Sequence, residues 1–400
     1  MSTRKGVWNL QQVRDKYLQS LWANDINLYS WGRNNTGNLG LNSTSNTAIS
    51  SPVQVGTEST WRPFNGKIGY YSEYFVVTTK TDGTLWTWGR NTNGELGQNN
   101  TVQYSSPVQI PGTTWSPEVS VGSATATAIK TDGTLWTWGN NYNGYLGHNE
   151  GYSPSKKALS SPTQIPGTTW SKAFIGAYNG AAVKTDGTLW MWGRNNEGNC
   201  AQNQTSTEVF SSPIQIGGDT NWSTVHVGSK NAAAVKTDGT LWCWGQGNAG
   251  MLAQNNTVQY SSPVQVPGTT WSDVWTNEAL AAAMTTNGEL FVWGSNSDGR
   301  LGQNQTPTQY DNASSPIQIS GEWSKFSYVT YLGWRAIKTD GTMWGSGRLG
   351  SYGEALHTDT SPDNKVSSPT QIGSVATWKS ISSSAYGSHA TMSTLTPSQL

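Results

Sequence analysis

The chain has 400 residues, with 45 glycines, 22 tryptophans and 24 basic against 24 acidic side chains, so its formal charge is zero. Charged residues make up only 12%, against roughly 25% in an average soluble domain. A neutral chain with no basic run beyond Arg4-Lys5 and Lys156-Lys157 is a poor ligand for nucleic acid; a mean hydropathy of -0.54 without an apolar run of about 20 residues excludes a transmembrane helix; and so many indoles exclude disorder.

Residues 1–22 stand apart from everything that follows. Leu10, Val13, Tyr17 and Leu21 recur at helical spacing, and Asn9 followed by Gln12 fits a capping pattern. A short helical arm is expected, which either covers the rest of the protein or docks to a larger assembly. The segment lacks the continuous apolar stretch of a secretory signal, so synthesis in the cytoplasm is expected. Cys200 and Cys243 have no CxxC spacing and are expected to be reduced, buried thiols rather than a disulfide or a zinc site.

From residue 23 onward one unit repeats. The phrase Lys-Thr-Asp-Gly-Thr-Leu-Trp-x-Trp-Gly starts at Lys80, Lys130, Lys184 and Lys236. A weaker copy runs from Thr285 to Gly294, and another starts at Lys338, where the last Trp-Gly position falls on Ser346-Gly347. A copy truncated at its front runs from Asp25 to Gly32. The anchor positions 31, 88, 138, 192, 244, 293 and 346 lie 49 to 57 residues apart. Two further landmarks keep the same phase: a Ser-Ser-Pro ending at Pro52, Pro107, Pro162, Pro213, Pro263, Pro316 and Pro369, and a tryptophan at 61, 115, 170, 222, 271, 323 and 378. Residues 98–109 and 254–265 are identical, the mark of internal duplication.

Each unit reads as strands and tight turns. Asp-Gly between short apolar runs predicts a hairpin, because such turns need positive φ. Leu85-Trp86-Thr87-Trp88 suits a strand, with both indoles on one face. Asn-x-x-Gly supplies the next turn, and Pro-Val-Gln-Ile a strand that begins with its proline. Small apolar runs such as Ala126-Thr127-Ala128-Ile129 suit strands packed closely near a central axis. Units of about 50 residues with three or four strands predict an all-β, seven-bladed propeller. The stretches 380–382 and 389–392 supply the front of a unit whose Asp-Gly half is present only from Asp25, so the two ends are expected to share one blade and close the ring. The expected organisation is an arm at 1–22, a propeller at 23–392 and a tail at 393–400.

The pattern Asp-Gly-x-Leu-Trp-x-Trp-Gly-x-Asn-x-x-Gly-x-Leu-Gly, clearest at 82–97 and 132–147, resembles the regulator of chromosome condensation repeat family. Cys200-Ala201 and Leu252-Ala253 depart from its Leu-Gly. The resemblance implies a seven-bladed propeller and, for most members, protein binding through one face of the ring. A light-sensing use of clustered Trp beside Arg, also found in that family, gives way to core packing, since these indoles occupy framework positions in every unit. The leader Lys5-Gly6-Val7-Trp8-Asn9-Leu10 through Leu21-Trp22 resembles that of virion proteins of tailed phages, especially marine ones.

No catalytic constellation is legible. His148, His226, His357 and His389 lack metal-ligand spacing, and Asp82, Asp132, Asp186, Asp238 and Asp340 recur as turn residues. No cofactor, metal or enzymatic activity is expected. Two arrays are candidates for binding. Arg33, Arg90, Arg194 and Arg348, with Asn140, Gln246 and Ser295, follow the anchors and form either an anion- or glycan-contacting ring or solvated loops stacked on neighbouring indoles. Tyr104, Phe210 and Tyr260, with Tyr310 nearby, precede Ser-Ser-Pro and offer glycan or protein contact, or pack the blades. The expected function is that of a virion-surface propeller, a capsid decoration or a tail- or fibre-associated protein. Leu10, Val13, Tyr17 and Leu21 would dock it to other virion proteins, and one face would meet a host receptor or glycan, without nucleic acid or membrane insertion. The alternatives are a cellular interaction propeller (an enzyme inhibitor or GTPase exchange-factor-like protein) and a glycan-binding lectin.

Overall fold

The computed structural model describes residues 26–64, 74–142, 144–150, 158–205, 209–304, 312–329, 332–348, 365–384 and 387–393. They form seven antiparallel sheets arranged as the blades of a propeller. The arm residues Leu10, Val13, Tyr17 and Leu21, as well as His357 and Tyr310, lie outside the described residues.

The second blade shows the plan. Its strands are Trp115–Val121, Thr125–Lys130, Leu135–Gly139 and Leu159–Ile165, paired in that order from the axis outward. The third to sixth blades repeat it from Trp170, Trp222, Trp271 and Trp323. In the first blade three strands are described, Phe75–Thr79, Leu85–Gly89 and Tyr104–Ile110, and Trp61 bridges Lys80 just as Trp115 pairs with Lys130. The seventh blade is built from both ends of the ring. Trp378–Ser383 and Gly387–Ser393 pair with Ile26–Asn34 and Ser45–Gln54, with Ile26 opposite Ser393 and Gly32 opposite Gly387. Shared closure leaves neither terminal strand of that sheet unpaired at its inner edge.

The structure makes the place of the small apolar runs specific. The strand containing Ala126-Thr127-Ala128-Ile129 is second from the axis; the innermost strand is the one that begins at Trp115. Small residues are needed there because both faces of the second strand are covered by adjacent blades. Ala126 stands opposite Trp138, and its counterparts Gly180, Ala232 and Ala281 stand opposite Trp192, Trp244 and Trp293. At Gly180 a Cβ would come within 2.1 Å of the Trp192 ring.

Large side chains from the inner strands meet near the axis instead. His226 of the fourth blade lies 3.9 Å, ring centre to ring centre, from Phe174 of the third and 5.7 Å from Tyr328 of the sixth. Trp275 of the fifth packs 5.2 Å from Phe326. All of these are buried, and burial pushes the Tyr328 phenol above its ordinary pKa.

Indole hydrogen bonds tie neighbouring blades together. Trp88 Nε1 donates to the carbonyl of Asn38, Trp138 to Glu95, Trp192 to Tyr145, Trp244 to Asn199 and Trp293 to Met251, all at 2.8–2.9 Å and each into the preceding blade. The accepting loops are shaped by the Asn-x-x-Gly motif. In the first blade the buried Asn91 accepts the Leu96 N–H at Oδ1 and donates to the carbonyls of Asn100 and Val102. A buried indole N–H favours a partner, so these five anchor tryptophans weld the ring both by area and by direction, whereas the buried Trp31 indole N–H has no partner among the described residues.

Candidate binding surface

The lysine phrase becomes a compact device in three dimensions. At Lys130-Thr-Asp-Gly-Thr-Leu-Trp136, Asp132 Oδ1 accepts the Thr134 N–H at 2.9 Å and its hydroxyl at 2.6 Å. Thr134 Oγ1 in turn accepts the Trp136 indole N–H at 2.8 Å. Gly133 takes φ +77, and a Cβ there would lie 2.2 Å from the Thr168 carbonyl, so the turn requires glycine. The same relay recurs at Asp82, Asp186, Asp238 and Asp340. The Thr134 hydroxyl and N–H, with Lys130 nearby, hold the Asp132 carboxyl below its ordinary range. The turn aspartates are thus structural, as their recurrence indicated.

The lysine that opens the phrase was not singled out by sequence, and the structure gives it a defined place. Lys130 Nζ sits 4.9 Å from the Trp115 ring centre and 4.2 Å from Trp136. Lys80, Lys184, Lys236 and Lys338 lie between equivalent tryptophan pairs. Each ammonium thus faces two electron-rich rings, worth about 0.5–2 kcal/mol depending on exposure. The signal for it was present: a lysine kept in phase with two tryptophans through five units.

The arginine array occupies equivalent positions on the face opposite the Asp-Gly turns. The backbone N–H of Arg90, Asn140, Arg194, Gln246, Ser295 and Arg348 donates in each case to the turn between the two innermost strands. The side chains are half-buried and their surroundings differ. Arg90 bonds the buried Glu95 at 2.9 Å and the Ser123 carbonyl at 2.9 Å, with its guanidinium 4.5 Å from the Tyr74 ring centre. Arg194 lies 5.5 Å from Tyr178, which makes an edge contact with Tyr145. Arg348 joins Arg300 and Lys365 around Asp298. Arg33 is half-buried at the corresponding place in the seventh blade. The array is therefore spread around one face as separate local arrangements, not gathered into a single cluster.

Tyr104, Phe210 and Tyr260 lie in the first two positions of the outermost strands, each opposite the glycine of a Trp-Gly anchor: Gly89, Gly193 and Gly245. They are half-buried, and the Tyr104 and Tyr260 hydroxyls accept hydrogen bonds from Asn100 and Asn256. The histidines divide by burial. Desolvation holds His389 neutral down to about 4; His148, whose Nε2 contacts Thr137 Oγ1 at 2.8 Å, is lowered in the same direction. Burial raises the Cys200 thiol to about 12, and Cys243 is raised for the same reason. Among the described residues no group of three or more His, Cys, Asp or Glu side chains is placed to hold a metal ion, and no described helix is long and apolar enough to cross a membrane.

These features define a seven-bladed propeller whose faces are built from repeated turns, with polar and aromatic side chains presented at the blade ends. The Regulator of chromosome condensation (RCC1) repeat matches residues 27–63, 82–129, 132–183, 186–235, 238–274 and 287–331, and the chain belongs to that family. Among solved structures the fold is similar to Prp20p from Saccharomyces cerevisiae, with TM-score 0.77 and 15% identity over 94% of this chain and 93% of that one. It is also similar to human WBSCR16, with TM-score 0.74 and 18% identity over 93% of this chain and 100% of that one. The Ultraviolet-B receptor UVR8 of Arabidopsis thaliana is 25% identical over 183 residues, which span 46% of this chain and 42% of the receptor.

Proposed function

We propose that this protein is a non-enzymatic binding module that presents a face of its ring to a partner protein. The observation that carries the reading is how the reactive side chains are engaged. The turn aspartates hold Asp-Thr-Trp relays, the lysines lie between indoles, and the cysteines and His389 are buried. What faces outward is a repeated set of half-buried Arg, Asn, Gln and Tyr side chains on a rigid frame, which suits recognition. The relatives favour the same reading. The Prp20p structure was described with its binding properties to Gsp1p and histones, and yeast RCC1 was solved with Kap60 bound.

Within that reading we place the protein on a viral particle, as a capsid decoration or a tail- or fibre-associated propeller. Its partners are then other virion proteins and a host surface receptor or glycan. Support comes from the leader over residues 5–22 and from a surface poor in charge and rich in Asn, Ser, Thr and Gly turns. Mass spectrometry of density-purified particles from the source culture tests it. Stoichiometric recovery in particles supports the placement. Recovery only in the soluble fraction discards it and leaves a cellular interaction propeller. A chain lacking residues 1–22 is expected to keep a folded ring and to lose its place in the particle; incorporation without the arm sinks the docking role.

A further inference from the structure

The five lysine clamps are not equivalent, and the difference follows the loop that leads into the inner strand. In the first and fourth blades five residues separate the buried aliphatic residue three places after the Ser-Ser-Pro proline from the tryptophan: residues 56–60 between Val55 and Trp61, and 217–221 between Ile216 and Trp222. Each of these loops carries a carboxylate three residues before the tryptophan, and it reaches the lysine. Glu58 pairs with Lys80, and Asp219 pairs with Lys236 at 2.8 Å. Both lysines are buried, at 5% and 8% exposure. In the second and third blades the loop is one residue shorter, Pro-Gly-Thr-Thr at 111–114 and 166–169, with glycine in place of the carboxylate. Lys130 and Lys184 are only half-buried, and among the described residues neither has a carboxylate within ion-pair distance. Asp132 lies near Lys130, but its Oδ1 already accepts two bonds from Thr134.

The grooves around these clamps match part for part. At the fourth blade Asp219 lines a groove with Trp222, Trp242 and Pro263. At the second blade Lys130 itself lines the corresponding groove, about 290 Å³, with Trp115, Trp136 and Pro162. The same aromatic walls and the same ammonium recur, and the protein's own carboxylate is missing from one of them. We propose that the Lys130 groove binds a carboxylate side chain, Asp or Glu, carried on a surface loop of a partner protein, and that the Lys184 clamp of the next blade offers a second such position. The blades that close their clamps from within display the bound arrangement. The occupant's carboxylate meets Nζ, and the stem of its side chain lies along the indole and proline walls. A partly desolvated ammonium between two aromatic rings favours a charged acceptor over a neutral amide. Two such positions on adjacent blades favour a partner with two acidic residues in reach of both.

This inference rests on the protein-binding reading above but can be tested without the natural partner. The probe is the capped peptide Gly-Thr-Glu-Ser-Thr, which copies residues 56–60, titrated into the full chain by ligand-observed NMR, with its Glu→Gln counterpart alongside. The expected result is binding by the Glu peptide, at least tenfold weaker binding by the Gln peptide, and markedly weakened binding in the double variant K130M/K184M, in which the half-buried Lys338 clamp is left intact. A second variant guards against misfolding: grafting residues 56–60 in place of 111–114, and likewise in place of 166–169, closes both clamps from within and is expected to weaken binding to the same extent while the ring stays folded. Equal binding of the two peptides, or binding undiminished in both variants, overturns the proposal. Preferential binding of methyl glucuronide over the peptide overturns it in favour of an acidic glycan. A chain that binds a partner protein but ignores the peptide discards this site and leaves the protein-binding reading standing.

Discussion

Trp334 stands directly across from Ser346, and the pair is the reverse of its counterparts elsewhere in the ring. In the second to fifth blades a small residue on the second strand faces an indole on the third. In the sixth the indole comes from the second strand, yet it fills the same buried space and donates at 2.8 Å to the Arg300 carbonyl of the preceding blade. Ser346 takes the small position and donates to the Gly299 or Val366 carbonyl. The irregular sixth copy of the sequence phrase is therefore a regular blade in space.

That exchange predicts a rescue. Trp334→Ala removes a fully buried indole and an inter-blade hydrogen bond, and is expected to cost about 3–5 kcal/mol. Ser346→Trp alone overpacks against Trp334 and is expected to cost roughly 1–3 kcal/mol. Combined, the two restore the arrangement of the other blades, so the double variant should recover most of the loss. Denaturant midpoints of the four proteins give the coupling; additive losses would show that the two positions do not share one space.

The fifth blade lacks a clamp because Thr285 stands where five other blades have lysine, facing Trp271 and Phe291. Thr285→Lys would place an ammonium between these rings, with Glu289, whose Oε2 now meets the Thr285 hydroxyl at 3.1 Å, as its carboxylate. A stabilisation of roughly 0.5–1 kcal/mol is expected. A lower denaturation midpoint for the variant would mean that the lost Thr285 bonds outweigh the new contacts.

Acid should weaken the ring in two windows. His389 is neutral in the fold, with its folded pKa lowered from 6.5 to about 4 by burial. Its contribution is whole above pH 6.5 and is lost as pH falls from there toward 4, because the unfolded chain takes up the proton first. His148 acts in the same direction. The turn aspartates act lower. Hydrogen bonds from Thr134 and its counterparts keep their folded values below 3.8, so their contribution is whole above 3.8 and disappears as pH falls through the depressed values. His389→Phe is expected to flatten part of the upper window and leave the lower one intact, as read from unfolding free energy between pH 7 and pH 3. An unchanged slope between pH 6.5 and pH 4 would remove His389 from this role.

Closure of the ring by both ends can be tested by ending the chain at Ser383. This removes Gly387–Ser393, which joins Ile26–Asn34 to Trp378–Ser383. Two strand edges then lie unpaired, so association and rapid proteolysis are expected, by light scattering and limited digestion. A monomeric truncated protein with the full-length denaturation midpoint would mean that the shared blade is dispensable.

Much of this architecture was legible before any coordinates, because its signals are local. Asp-Gly followed by Thr-Leu-Trp fixes a turn and a strand within a few residues, and seven phased copies fix the blade count. The split seventh unit was legible for the same reason: each half carries its own landmarks. Reading the binding groups was harder. Arg90 and Arg194 do occupy equivalent places on one face, as their position after each anchor implied, but Glu95, Tyr74 and Tyr178 decide what their guanidinium groups meet.

Tertiary structure alone decided the rest, and the reason is registration between segments far apart in the chain. The sequence by itself determined that all seven units would contain tryptophans and that five of them would carry a lysine ahead of an Asp-Gly turn. It did not determine that an indole in one blade donates to a carbonyl in the blade before it, since that depends on how two sheets face each other. Nor did it place the alanine-rich strand second from the axis, fill the centre with Phe174, His226 and Tyr328, or let Trp334 take the place of the missing anchor. Those outcomes were set by packing volume and by the need of buried N–H groups for partners, which act on neighbours in space and not in sequence.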